Sequence, residues 1–419
     1  MPKSAAVVSA VDPYPTDAGK KVVLAGFNAY LTDRLGPVDV HYLMVGGHQR
    51  ADFPARLHPL PAPHPVRAVG NVLTRTLTGR ASLQESLLRS ADVAAAIQRT
   101  LERIGPDLEI YDTVRMAQYA GEGHGGRQVC YLDDLFSERY RSMVQAADRY
   151  PGVDIQPLGN FAAHVPRPLR PLAGNPRSQR ALLQFERRLV HRSECRTVER
   201  FASTLLVNET EAQLLRNRTG AGAAAVRSIP PLISQPPVRR AYTGAPVFAF
   251  LGLLSLPHND DGLRAFLGDV WPRVLAAQPD ARLRVIGKDV RPGLAEAVAR
   301  HGDSVTLEGF VPDLGDILSG VAAMVNPLRF GSGVKLKIIE SLGRGVPIVS
   351  TTVGSDGVAS SADQGVLVSD DHAEIAELLL GTTNVARNEQ LSDAAREHFA
   401  ARYSRGAVFR CYDEAFGLS

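Results

Sequence analysis

The sequence predicts an α/β protein made of two doubly wound parallel sheets. Short apolar runs of strand length alternate with segments of helical period along the whole chain. The 419 residues are too many for one ordinary core and suit two domains of about 200 residues each. A proline-rich break, PPLISQPP at 230–237, separates two stretches that each restart with a buried strand.

Composition narrows the class. Hydrophobic content of 44% and charged content of 22% are those of a soluble globular chain. A net charge of +3 is too small to imply nucleic-acid binding. Cys130, Cys195 and Cys411 show no CxxC spacing, which argues against a disulfide framework or a structural zinc site and for a reducing compartment. The run MPKSAAVVSAVDPYP is too short in apolar residues for a signal peptide, and no stretch approaches the roughly 20 residues that span a bilayer. A cytoplasmic location is expected, with peripheral contact at a membrane face left open.

Ala5 to Ser9 reads as the first strand. Asp12 to Gly19 holds two prolines and a glycine, so it is a loop; Lys21 to Leu35 follows as a helix and Val38 to Val45 as a strand. The first loop lacks GxGxxG, so the dinucleotide fingerprint is absent. His48 to Val72, rich in Pro, His and Arg, reads as an irregular excursion. Leu83 to Ile104 reads as one long amphipathic helix, and Leu108 to Tyr111 as a strand running into Asp112. The turn at 121–126 contains His124, a residue more in keeping with an exposed loop than with a base. Arg127 to Leu132 is a strand ending in Asp133 and Asp134. Two carboxylates at a strand's carboxyl end can bind a metal, accept hydroxyl hydrogen bonds, or, with Ser137, cap the next helix. A basic, proline-rich stretch from Phe161 leads into a helix from about Arg177, whose arginines suit a solvated face or an anionic surface. Ser203 to Val207 and Val226 to Ile229 complete the strands of this half.

The second half starts with Val247 to Leu251 and Gly252. LLSLPHNDDGL follows, in which His258 and Asn259 are site candidates that read better as parts of a polar loop, and then a helix to about Ala277. Ala281 to Ile286, Val305 to Leu307 and Ala322 to Val325 are strands; the second of these runs into Glu308-Gly309-Phe310-Val311-Pro312. His372 to Leu379, Asn388 to Phe399 and about Gly406 to Phe416 read as helices.

The most informative stretch is FGSGVKLKIIESLGRGVPIVSTTVGSDG at 330–357. Gly331, Ser332 and Gly333 let the backbone approach a ligand closely. A helix expected from about Val334 places free N–H groups and a partial positive charge there, which suits phosphate. Lys335 and Lys337 add cationic charge. Glu340 stands on the Lys337 face and can accept two hydroxyl hydrogen bonds, although Lys337, Glu340 and Arg344 also have the spacing of a solvated ion-pair stripe. The strand expected at Val346 to Val349 puts the turn at the carboxyl edge of a sheet, where α/β proteins bind ligands.

This stretch resembles the donor-binding segment of the retaining family 4 glycosyltransferases: a glycine-rich turn, a basic residue, a helix glutamate, then a small-residue-Gly-x-Pro-hydrophobic run. The resemblance is strongest from about Val247 to Val368. It implies the GT-B fold, two Rossmann-like domains facing a central cleft: residues 1–235 on the acceptor side, joined by a C-terminal helix at 404–419, and residues 236–403 on the nucleotide-sugar side. It implies that Glu340 binds a ribose and that Gly331, Ser332, Gly333, Val334, Lys335 and Lys337 surround the diphosphate. Gly252 would lie against the phosphates, with Arg329 as a further cation, and Gly309 and Val311 would contact the base. Gly19 would face the acceptor and the donor phosphates. The DDLFSERY run resembles an LSxRY-type segment of the same group, which places Asp133 or Asp134 near the donor sugar. Many members carry a second acid eight residues before the glutamate, where this chain has Ser332.

The expected activity is transfer of a sugar from a nucleotide-sugar such as a UDP-sugar to a sugar, lipid-linked or small-molecule acceptor hydroxyl, with retention. Asp133, Asp134 and Lys337 are its catalytic candidates, and no metal or other cofactor is expected. Two alternatives remain at this point: a non-catalytic sugar- or nucleotide-binding subunit, which the serine at 332 favours, and an epimerase or phosphorylase on the same fold.

Overall fold

A computed structural model describes residues 2–121, 125–150, 176–233 and 240–418. His124, the basic loop at 161–175 and part of the proline-rich break at 230–237 lie outside the described residues. The chain divides into two compact units. The first takes in the described parts of Met1–Val144, Gln156–Leu232 and Val408–Ser419, and the second those of Gln145–Ile155 and Ile233–Ala407.

The first unit is built on seven strands: β1 Ala5–Ser9, β2 Val40–Val45, β3 Arg56–Leu60, β4 Leu108–Asp112, β5 Arg127–Asp133, β6 Ser203–Leu206 and β7 Val226–Ser228. All its pairings are parallel, in the order β3-β2-β1-β4-β5-β6-β7. β1, β2 and β4 are buried at every residue, because helices cover both faces of such a sheet. The C-terminal helix Arg405–Phe416 packs here through Tyr412 and Phe416, whose rings meet Phe27 and Tyr30 edge-on or tilted.

The second unit has six strands: β8 Val247–Leu251, β9 Arg282–Ile286, β10 Val305–Gly309, β11 Ala323–Asn326, β12 Ile348–Ser350 and β13 Val366–Val368. Their order is β10-β9-β8-β11-β12-β13, again parallel throughout. In each sheet the order reverses beside the first strand. The reversal opens a crevice at the carboxyl ends of β1 and β4 in one unit and of β8 and β11 in the other.

Three elements differ from expectation. The excursion at 48–72 contains β3 and the helix Pro65–Asn71. Pro59 reads as a breaker, yet β3 pairs only with β2, and an edge strand tolerates a residue with no N–H to donate. The long helix at 83–104 is two helices, Leu83–Leu88 and Ala91–Ile104. Ser90 leaves helical geometry (φ −149°) and its side chain accepts from the Val93 N–H, so it starts a helix where periodicity alone sees continuity. LLSLPHNDDGL is not a polar loop: Pro257 opens the helix Pro257–Ala265, in which Asn259, Asp260 and Asp261 are buried.

Candidate functional site

In the second unit the crevice is floored by closely packed backbone. β8 ends in Gly252, whose N–H donates to the Ile286 carbonyl (3.0 Å); the Gly287 N–H donates in turn to the Gly309 carbonyl (2.8 Å). A side chain at Gly287 would stand 1.8 Å from the Gly252 oxygen, so the two loops meet because Gly287 carries none. Gly309 (φ 69°) sits where the pairing of β10 with β9 shifts register, a bulge that turns the chain into Phe310 and Val311. Phe310 is 71% exposed.

The neighbouring wall is the loop that leaves β11. Thr351, at the end of β12, donates to the Leu328 carbonyl (2.5 Å), and Gly262 lets the helix Pro257–Ala265 approach the backbone of Pro327 and Leu328. Arg329 is held in two hydrogen bonds by the buried Asp261 (2.9 and 2.5 Å). Gly331 (φ 131°) and Gly333 (φ 70°) take backbone conformations that side-chain-bearing residues rarely adopt.

The helix after this turn is Leu336–Gly343, two residues later than expected from Val334, with Lys335 as its N-cap. Lys335 does not extend outward. Its ammonium donates to the carbonyls of Ser332 (3.0 Å) and Gly333 (2.6 Å) and so pins the turn shut on itself. Lys337 takes the other direction: Nζ donates to Oδ1 of Asn259 (3.1 Å) and lies 4.4 Å from the centre of the Phe250 ring. Asn259 is fixed by its own donation to the Leu253 carbonyl (2.9 Å) and packs against Gly252, where a methyl group would collide with it. Burial, with Lys335 nearby, pulls the Lys337 ammonium down to about 7.

Glu340 lies one turn on, partly buried. Burial raises its carboxyl above the usual range, and Arg344 offsets this in part. Among the described residues nothing donates a hydrogen bond to its carboxylate, and it pairs with neither Lys337 nor Arg344; the ion-pair stripe that its spacing allowed does not form.

In the first unit Gly19 is the first residue of the helix Gly19–Leu35, at the carboxyl end of β1. The next residue, Lys20, forms an ion pair with Asp112 at the end of β4 (2.7 Å), and the Ser9 hydroxyl donates to the same carboxylate (2.7 Å). Asp133 lies on a register shift between β5 and β6 with φ 73°, and the Tyr131 hydroxyl donates to it (2.8 Å). Burial raises its carboxyl, and Lys20 opposes that rise. Thr113, at the end of β4, also has positive φ (62°), a strained geometry for a β-branched residue. Asp134 is fully buried and bound by Arg139 (2.9 and 2.5 Å). At the start of the helix Phe136–Arg149 two distant acids take backbone donors. Glu211 accepts from the Leu135 N–H (2.8 Å) and Glu194 from the Ser137 N–H (3.0 Å).

The second unit thus gathers Gly252, Arg329, the turn at 331–333, Lys335, Lys337 and Glu340 around one crevice, with Gly309 and Val311 on the same sheet edge. Asp133, Asp134 and Gly19 belong to the first unit. Sequence reasoning named Asn259 as a site candidate but set a polar loop above it, and it missed Lys20 and Asp112. Only the place of Asn259 soon after a strand-ending glycine hints at it; Lys20 and Asp112 meet across 92 positions with no local signal. Among the described residues no three His, Cys, Asp or Glu side chains cluster as metal ligands do, and no helix is long and apolar enough to cross a membrane.

Residues 245–383 match the sequence profile of a family described as "Glycosyl transferases group 1". Over 168 residues the chain is 26% identical to an uncharacterized 44.6 kDa protein in the cps region of Klebsiella pneumoniae, covering 38% of this chain and 43% of that one. The alignment therefore spans under half of that relative's length. Among solved structures, sucrose-phosphate synthase from Thermosynechococcus elongatus superposes with a TM-score of 0.63 at 16% identity over 100% of both chains. HepE from Anabaena, in complex with UDP and glucose, superposes with 0.59 at 11% identity, also over 100% of both. The architecture is that of the GT-B proteins: two Rossmann-like domains, each on a parallel sheet.

Proposed function

We propose that the chain is a glycosyltransferase that moves a sugar from a nucleoside-diphosphate sugar to an acceptor hydroxyl, with retention at the anomeric carbon. The observation that carries this reading is the cation Lys337. It is desolvated, has no carboxylate partner among the described residues, and stands at the head of a helix beside a glycine turn. Such a site is incomplete without an anion. A diphosphate supplies one, and its charge grows as the glycosidic bond lengthens, so the same groups bind the departing diphosphate more tightly than the intact donor. The match of residues 245–383 to the group 1 family supports the assignment, as does UDP in the HepE complex.

In this reading Lys337 and the main-chain N–H groups at the start of Leu336–Gly343 bind the diphosphate. Lys335 holds the turn in the shape that presents them. Glu340 accepts from the ribose hydroxyls. Gly309 and Val311 read the base through the backbone, and Gly252 lets the chain approach the phosphates. The first unit's candidates are Asp133 and Asp134 for the sugar-transfer step, Asp133 held by Tyr131 and Asp134 by Arg139, with Gly19 for the acceptor. Arg329, neutralised by Asp261, shapes the loop and adds little net charge. The donor's anomeric C–O bond breaks and the nucleoside diphosphate leaves; the acceptor oxygen bonds to that carbon on the same face, and its proton passes to the departing phosphate oxygen. No metal is required, since the amides and Lys337 meet the diphosphate charge.

The test is release of nucleoside diphosphate from a panel of UDP- and GDP-sugars, with and without sugar and lipid-linked acceptors, in buffer containing EDTA. Release that depends on an acceptor is the expected outcome. Binding without turnover across the panel identifies a non-catalytic subunit instead, in keeping with Ser332.

A further inference from the structure

In the first unit two adjoining cavities of about 520 and 280 Å³ open between the helix Pro176–Arg200 and the chain from Arg75 to Arg89, the smaller also lined by Val114, Ala117 and Gln118, which follow β4. Six arginines line them: Arg75, Arg80, Arg89, Arg192, Arg196 and Arg200. Only two carboxylates, Glu85 and Glu199, stand against them. Glu85 is already committed, since it accepts from the backbone and hydroxyl of Ser82 (2.9 and 2.7 Å) and from the Ser193 hydroxyl (2.6 Å). Arg196 reaches Glu85 only at 3.9 Å. Arg89 and Arg200 spend donors on the carbonyls of Gln118 (3.3 Å) and Ala120 (2.8 Å), which leaves their positive charge uncompensated.

Arg75 is the sharpest case. It is partly buried in one turn of π-helix, Val72–Thr76, and its guanidinium makes no hydrogen bond or ion pair with any described residue. Burial and the neighbouring Arg89 pull it below its ordinary value, as does Arg196, while Glu85 opposes them. A fold gains nothing by crowding like charges into a concave surface, and guanidinium groups so placed match the oxygens of a phosphate.

We propose that the two cavities form one binding site for a phosphate mono- or diester, centred on Arg80 and Arg196, which line both, with Arg75 as its deepest donor. This site does not rest on the transferase reading and is separate from the crevice at Lys337. The phosphate has two sources, a soluble phosphorylated ligand or a lipid headgroup. The second is raised by Leu73 and Leu77, which flank Arg75 in sequence and are 51% and 65% exposed.

The test uses the full chain, with inorganic phosphate followed by calorimetry and vesicles followed by co-sedimentation. Lys337→Met serves as the control for the other crevice. Phosphate is expected to bind Lys337→Met, in which the other crevice has lost its cation, and to bind the same background carrying Arg75→Gln/Arg196→Gln at least tenfold more weakly. The double variant should melt at or above the wild-type temperature without phosphate, because repulsion is relieved. Arg80→Gln, at an exposed position, should weaken phosphate binding about threefold with the fold unchanged. Sedimentation with phosphatidylglycerol but not phosphatidylcholine vesicles, lost in Leu73→Ser/Leu77→Ser while phosphate binding persists, identifies the headgroup. Phosphate binding without sedimentation identifies a soluble ligand. Equal phosphate affinity in Lys337→Met with and without the arginine substitutions overturns the proposal, as does no binding to phosphate or to phosphatidylglycerol vesicles.

Discussion

Binding of a nucleotide-sugar should draw a proton onto Lys337. In the empty protein this ammonium is pulled down to about 7 by burial and by Lys335. At pH 8 it is therefore charged in only ~10% of molecules. A diphosphate beside it favours the charged form and moves it back toward ~10. Binding then takes up ~0.9 proton at pH 8, ~0.5 at pH 7 and ~0.1 at pH 6. The intact donor, a diphosphate diester, has no group of its own that titrates in this range, which makes it a cleaner probe than UDP. The assay is calorimetry of a UDP-sugar at pH 8, without acceptor, in buffers of differing ionisation enthalpy. Above pH 7 affinity should fall as pH rises, up to tenfold per unit. Full restoration to the ordinary lysine value would be worth ~5 kcal/mol, an upper bound that screening at this partly exposed side chain reduces. Stability follows the opposite sense. The folded value lies below the unfolded one, so between pH 7 and ~10.5 the unfolded chain holds more protons and the empty fold gains stability as pH rises. Lys337→Met should then lose the proton uptake, bind donor more weakly, and melt higher than wild type at pH 7 when empty. Heats that do not depend on buffer in wild type, or uptake that survives in Lys337→Met, would refute the reasoning.

Three further outcomes follow from individual contacts. Glu340→Ala should weaken donor binding ten- to a hundredfold in calorimetry, the loss of two charge-assisted hydrogen bonds, without lowering the melting temperature, because no described residue depends on that carboxylate. Gly287→Ala should disrupt the crevice floor, since its methyl group would stand 1.8 Å from the Gly252 oxygen; a melting temperature within a degree of wild type would contradict this packing. Glu194 is buried and pushed up to about 7 by burial, against the hydrogen bonds from Ser137. Its folded value lies above the unfolded one, so its contribution is fully present below pH ~4.5 and is lost by up to ~3 kcal/mol as pH rises through 7. Glu194→Gln should flatten the melting profile in that window.

Legibility followed the range of the interaction. Strands such as Ala5–Ser9 and Val247–Leu251 were readable because their apolar runs are local and bounded by polar or glycine residues. The turn at 331–333 was readable because glycines at positive φ leave a mark in the sequence. β3 was lost because Pro59 is permitted by an edge position that only the sheet order reveals. The direction of Lys335 was lost for a similar reason. Spacing places it at the helix start, and whether its ammonium faces a ligand or bends back onto Ser332 and Gly333 depends on the path of the preceding turn. Asn259 ranked below a polar loop because a polar residue after proline looks like loop; its contact comes from Lys337, 78 residues away.

The two crevices explain each other. Both sheets reverse order beside their first strand, and each crevice has a lysine at a helix start: Lys20 on the helix that follows β1, and Lys337 on the helix that follows β11. In the first unit the chain supplies the counter-charge, because Asp112 at the end of β4 meets Lys20 at 2.7 Å. In the second unit the corresponding strand, β11, ends in Asn326, which carries no charge, and the acid that follows in space, Asp261, is spent on Arg329. Lys337 is left with a neutral amide and an aromatic face. A partly buried cation so placed is destabilising unless an anion arrives. The same fold therefore makes one crevice electrostatically complete and the other incomplete, and the incomplete one is where a diphosphate gains most. A carboxylate at the position that already accepts from the ammonium, Asn259→Asp, should hold Lys337 protonated above pH 8 and weaken donor binding together. A gain in donor affinity would reverse this assignment of the two crevices.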